Sequence, residues 1–171
     1  MQPTLKKLLL LLFLIFMSSY ALAQDNFSIF LLNKKITDEN FIKSGIENLS
    51  LQSRPIISKD DIVFYLRDEN KIKLTNECYK RIKALPTGIQ FVVCVGKKRI
   101  YSGIVWSEIL SASCNGVIMM KPSSLISRSD DAKRIVSIDL GYPNPSYFVG
   151  VDPRSKDEIL TSLKKAGKLK E

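Results

Sequence analysis

The chain reads as one α+β domain built on an antiparallel sheet with about three helices, and three observations predict it. Apolar and polar residues alternate in short runs, as in Ile62-Val63-Phe64-Tyr65-Leu66 and from Ile135 to Leu140. That is the period-two pattern of strands with one buried face. Turn-forming residues separate neighbouring runs by only a few positions, most plainly Gly96-Lys97-Lys98, which favours hairpins and hence antiparallel pairing. The helical stretches interrupt this order without alternating strictly with strands, which argues against a doubly wound fold.

Phe27 to Leu32 is β-branched and aromatic enough to open as a strand. Thr37-Asp38-Glu39 offers a cap and first-turn acids for a helix towards Leu49, with Ile42, Ile46 and Leu49 on one face; Gly45 weakens it. Arg54-Pro55 breaks the pattern, and Ile56 to Leu66 resumes as extended chain around a turn at Ser58-Lys59-Asp60-Asp61. Asp68-Glu69-Asn70 is a polar turn into a return strand at Lys71–Leu74, and Thr75 caps a helix from Asn76 to Leu85 that Pro86 and Gly88 end. Ile89 to Val95 and Arg99 to Trp106 form the clearest hairpin.

A short helical or irregular stretch through Ser111 precedes a strand at Gly116 to Met120. Lys121 to Asp131 is polar and serine-rich and is expected as an exposed loop, and Ile135 to Leu140 is a strand stopped by Gly141-Tyr142-Pro143-Asn144-Pro145. The last helix carries a capping box at Ser155-x-x-Glu158 and an apolar stripe of Ile159, Leu160 and Leu163. Gly167 stands at its end, and Lys164, Lys165 and Lys168 suit the negative end of its dipole.

The first 23 residues have a different character. Lys6 and Lys7 precede an apolar run from Leu8 to Met17, and Ala21-Leu22-Ala23 is a small-x-small cleavage site. This is the pattern of a secretory signal peptide at 1–23, with cleavage near Ala23. The product, residues 24–171, is expected to be a single secreted or periplasmic domain without a transmembrane segment, since a span takes about 20 apolar residues. Without the two leader lysines the formal charge of +9 becomes about +7, a moderately basic balance that draws anionic partners. Nothing resembles a nucleic-acid motif.

Histidine is absent. Ser-His-Asp and Cys-His catalysis and histidine-based zinc sites are therefore excluded. The three cysteines, Cys78, Cys94 and Cys114, cannot all pair within one chain and lack Cys-x-x-Cys spacing. Cys94 sits in an apolar strand and Cys78 on a helix stripe, where they read as small buried hydrophobes, and one disulfide among the three stays open. Asp60-Asp61 diverge to opposite sides of an extended chain, so turn or capping chemistry suits them better than a metal site. Ser111, Ser113 and Cys114 as nucleophiles would have only lysines such as Lys97, Lys98 and Lys121 for a base. Tyr101, Trp106 and Tyr65 are candidates for an aromatic rim, with Lys97 and Lys98 as cationic contacts beside it; a lone tryptophan in an apolar hairpin is more often core, and Trp106 becomes the best contact residue where it is exposed.

Residues 55–120 resemble the first periplasmic domain of the SecD protein-export subunit. The likeness rests on Pro55-Ile56-Ile57 leading to Asp61-Ile62, on Leu74-Thr75-Asn76-Glu77 entering a helix, and on Gly88 before Phe91 to Val95. The turn Lys97-Lys98, Ile100 to Ile104, a short helix at Ser107 to Leu110 and a strand at Gly116 to Met119 complete it. Ile100-Tyr101-Ser102-Gly103-Ile104-Val105-Trp106-Ser107 is also similar to a segment of small secreted bacterial proteins of unknown role. The resemblance implies a soluble module that contacts other polypeptides or is of unknown role, and it implies no catalytic residue.

The function expected is thus a secreted, non-enzymatic binding or accessory module, its partner an envelope protein or an anionic surface component. The binding candidates are Tyr101, Trp106, Lys97 and Lys98, with no cofactor and no metal. The competing expectation is a small histidine-free hydrolase or transferase using a Ser/Lys or carboxylate site.

Overall fold

The computed structural model describes residues 26–37, 41, 45–122 and 133–171. The expected signal peptide, most of the first expected helix and most of the expected 121–131 loop lie outside the described residues. Nine strands join in one sheet: β1 (Phe27–Leu31), β2 (Ile57–Ser58), β3 (Ile62–Leu66), β4 (Lys71–Leu74), β5 (Gln90–Val95), β6 (Lys98–Trp106), β7 (Cys114–Met120), β8 (Ile135–Tyr142) and β9 (Leu169–Lys170). Their spatial order is β2-β1-β5-β6-β7-β8-β4-β3-β9. Two α-helices accompany them among the described residues, α1 (Asn76–Lys83) and α2 (Asp157–Lys165).

Two features overturn the expected fold class of an antiparallel sheet with about three helices. The sheet is mixed, because β6 pairs parallel to β7 and β3 pairs parallel to β9. Strand also dominates: the end of the first expected helix is a single 3-10 turn at Ile46–Asn48, and residues 107–113 form no helix. The physical reason lies in the connection from β6 to β7. Parallel neighbours ordinarily need a crossover of about a dozen residues, whereas here residues 107–113 suffice. Trp106 is level with Met120, so the chain must return about 20 Å to reach Cys114, and the eight Cα–Cα steps between them reach at most about 28 Å. The link is therefore a short strap across one face of the sheet, with slack enough for a turn in which the Leu110 N–H donates to the Ser107 carbonyl at 3.2 Å.

The sheet is rolled. β2 lies at one edge and β3 next to the other, yet only the 3-10 turn Lys59–Asp61 separates them in the chain. Four Cα–Cα steps reach at most about 14 Å, so the two ends of the sheet curl towards each other. Helix α2 touches β1, β5 and β9 and so helps to bridge the gap, and the Ser162 hydroxyl accepts from the Phe27 N–H at 2.8 Å.

The concave side holds the main core, with Ile29, Ile72, Leu74, Phe91, Val93, Val105 and Met119 from the strands, Cys78, Tyr79 and Ile82 from α1, and Ile159 and Leu163 from α2. Gly103 belongs on this side because the Phe91 ring lies across it. A Cβ there would also come within 2.7 Å of the Val117 carbonyl oxygen. Two smaller clusters occupy the convex side. One is Leu32, Leu49, Val92 and Cys94 outside β1 and β5; the other is Trp106, Cys114 and Ile118 beneath the strap. The three cysteines thus fall in three separate clusters, all buried and all free thiols. Burial pushes the Cys78 thiol up to about 12 and raises that of Cys94, so neither supplies a reactive thiolate at neutral pH.

The second helix starts differently from expectation. Its N-cap is Lys156, with no side-chain cap bond, and Glu158 pairs with Lys98 of β6 in place of a box with Ser155. Its end follows the glycine: Gly167, at φ 67°, donates to the Lys164 carbonyl, and Lys168 donates to that of Leu163. These two bonds form a Schellman motif that turns the chain into β9.

Candidate functional site

Strand alternation separates the expected aromatic residues. Tyr101 and Trp106 are an odd number of positions apart on β6, with regular pairing between Tyr101 and Ile104, so their side chains take opposite faces. Tyr101 points into the rolled sheet together with Tyr65 of β3. The Tyr65 hydroxyl donates to Asn70 Oδ1 at 3.0 Å, and burial raises the pKa of Tyr65 to about 12 and raises that of Tyr101 as well. Both hydroxyls stay protonated at neutral pH and act as packing groups. Arg154 stands near them, held bidentate by Asp152 at 2.9 and 2.8 Å and donating to the Ile138 carbonyl at 2.7 Å. Its hydrogen bond holds the Asp152 carboxyl below its usual range.

Trp106 is only 8% exposed, under the strap, with its ring 6.0 Å from that of Tyr142. Its Nε1–H is buried without a hydrogen-bond partner, at a cost of about 1–3 kcal/mol. Lys97 is exposed at the β5–β6 turn, and Lys98 beside it is engaged by Glu158. Arg99, next along, donates to the carbonyls of Ile46, Glu47 and Leu49 and so caps the 3-10 turn. The four expected binding residues therefore occupy three places: the interior, the space beneath the strap, and the hairpin tip.

The candidate acids and nucleophiles have structural partners or stand apart. Asp61 accepts from the Ser58 N–H and hydroxyl at 2.9 and 2.6 Å and from Arg81 at 2.7 Å, while Asp60 turns to Lys59. Ser111 and Ser113 are exposed on the strap, Cys114 is buried, and Lys121 donates to the Leu85 carbonyl at 2.9 Å. Among the described residues no three Cys, Asp or Glu side chains gather to hold a metal, and no helix is long and apolar enough to cross a membrane.

A different surface stands out once side chains are placed. Six large apolar side chains are exposed among the described residues, and five belong to two segments. Ile109 and Leu110 ride on the strap; Tyr147, Val149 and Val151 lie in the loop after β8. Val149 and Val151 are 75% and 91% exposed. Tyr142 joins the two segments, since its hydroxyl donates to the Glu108 carbonyl at 3.2 Å and the loop begins at the next residue. The Val149 N–H donates to the Asn115 carbonyl at 3.0 Å, which fixes the loop beside β7. A groove of about 240 Å³ lined by Thr87, Ser107, Ile109, Leu110, Lys121 and Pro122 runs along the strap.

Such clustering of exposed apolar groups marks interaction surfaces. The sequence carried a signal for it: Tyr147-Phe148-Val149-Gly150-Val151 is an apolar run set among Pro143, Pro145 and Pro153. Prolines keep a run out of a strand ladder, so its apolar residues have no sheet face to bury them. Only Phe148 of the run packs on the main core. No family model, curated protein or solved structure matches this chain.

Proposed function

We propose that the protein is a secreted or periplasmic, non-enzymatic binding module that docks an envelope protein through the apolar rim formed by the strap and the loop after β8. The single observation that carries this reading is the concentration of Ile109, Leu110, Tyr147, Val149 and Val151 there, leaving Val63 as the only other exposed large apolar side chain among the described residues. The signal-peptide pattern at 1–23 and the likeness of residues 55–120 to the SecD periplasmic domain support the compartment and the kind of partner. Aliphatic and aromatic groups held on tethered loops suit burial against another polypeptide, where a few apolar anchors dominate the energy.

The test is capture from envelope extract with three immobilised proteins: the unchanged protein, Val149→Asp/Val151→Asp, and Lys34→Gln/Lys80→Gln. A partner retained by the first and third and lost from the second supports the reading. Equal retention by all three, or nothing retained above bare resin, overturns it.

A further inference from the structure

The convex face of β8, β4, β3 and β9 is a second surface, distinct from the apolar rim and independent of it. Register sets Phe64 opposite Lys73 and Leu66 opposite Lys71, and β9 brings Lys170 level with Leu66. These side chains face away from the core residues Tyr65 and Ile72 that alternate with them. Lys73 and Lys170 both hold their ammonium groups over the Phe64 ring, 5.5 and 4.4 Å from its centre. Of the nearby carboxylates, Glu69 pairs with Lys71 at 2.6 Å and Glu171 with Arg67 at 3.4 Å, while Asp139 accepts from the Ser137 hydroxyl and Asp68 is exposed in the β3–β4 turn. Two like charges are thus gathered on one half-buried ring, with no carboxylate paired to either among the described residues.

We propose that this face binds a linear acidic polysaccharide carrying a carboxylate on its sugar units. Lysine ammoniums are compact charges on flexible stems and tolerate a repeating anion without fixed bidentate geometry. The exposed part of the Phe64 ring between the two ammoniums offers an apolar contact to the C–H groups of a sugar, so one platform meets both parts of a uronic acid. An acidic peptide fits less well, because strand addition needs a free edge with several main-chain groups and β9 has only two residues. The basic balance of the whole chain draws such a polyanion towards the surface.

The experiment measures binding of the purified protein to immobilised polygalacturonate. Saturable binding is expected at low salt, fading as ionic strength rises and the Debye length shrinks from about 30 Å to about 8 Å. Lys73→Gln/Lys170→Gln is expected to weaken it about tenfold or more, with the melting temperature unchanged because glutamine keeps much of the stem over Phe64. Lys34→Gln/Lys80→Gln removes the same charge from the loop after β1 and from α1 and is expected to leave binding within about twofold. Absence of binding, equal loss in both double variants, or equally tight binding of polyglutamate or of anionic phospholipid vesicles would each overturn the proposal.

Discussion

Asp61 shows how one carboxylate serves the roll of the sheet. It closes a capping box with Ser58 across the 3-10 turn between β2 and β3, and it ties that turn to α1 through Arg81. Burial raises its pKa, but the Ser58 hydroxyl and N–H and the Arg81 guanidinium together lower it below 3.8. A carboxyl whose folded pKa is depressed adds stability above its unfolded pKa and loses it as pH falls through the folded value. Asp61→Ala is therefore expected to cost about 1 kcal/mol in urea unfolding at neutral pH. The difference from the unchanged protein should shrink once the pH drops well below 3.8. A cost independent of pH would mean that the charge contributes nothing. The turn role of Asp60-Asp61 was legible in the sequence because adjacent residues of extended chain diverge. The partner Arg81 was not, since it is 20 positions away and meets Asp61 only when the sheet rolls.

At the scale of elements, local chemistry was readable and long-range pairing was not. The β5–β6 hairpin, the cap of α1 by Thr75 and the glycine end of α2 follow from residues within a few positions of each other. The parallel pairing of β6 with β7 depends on the short strap of residues 107–113, and nothing in those residues distinguishes it from a loop between antiparallel strands. The start of α2 was misread for a related reason: Glu158 finds Lys98, 60 positions away, before it finds a local cap.

The Schellman turn at Gly167 gives an element-scale prediction. It orients β9 so that the Lys168 and Lys170 carbonyls accept from the Tyr65 and Arg67 N–H groups at 2.7 and 2.9 Å. Gly167→Ala puts a side chain at φ 67° and is expected to cost about 1 kcal/mol. Hydrogen exchange should quicken at the Tyr65 and Arg67 amides first. Unchanged exchange there would show that β9 holds its place without the turn.

For the whole molecule, rolling the sheet decides which residues meet a partner. It buries Tyr65 and Tyr101 inside, the strap covers Trp106, and among the described residues all the exposed large apolar groups but Val63 remain on the strap and on the loop after β8. The candidate site was hard to read in the sequence because exposure depends on this closure. The burial of Trp106 agrees with the ordinary fate of a lone tryptophan in an apolar hairpin, whereas the inward turn of Tyr101 and Tyr65 is known only once the sheet closes. The apolar run from Tyr147 to Val151 looks like core until the prolines around it are seen to keep it from any strand.

Site-specific photo-crosslinking in the producing cells tests the central claim most directly, with the photoreactive residue placed at Val149, at Ile109 or at Lys80. The account expects one and the same crosslinked polypeptide from Val149 and Ile109 and none from Lys80. The same adduct from all three positions, or an adduct from Lys80 alone, would contradict it.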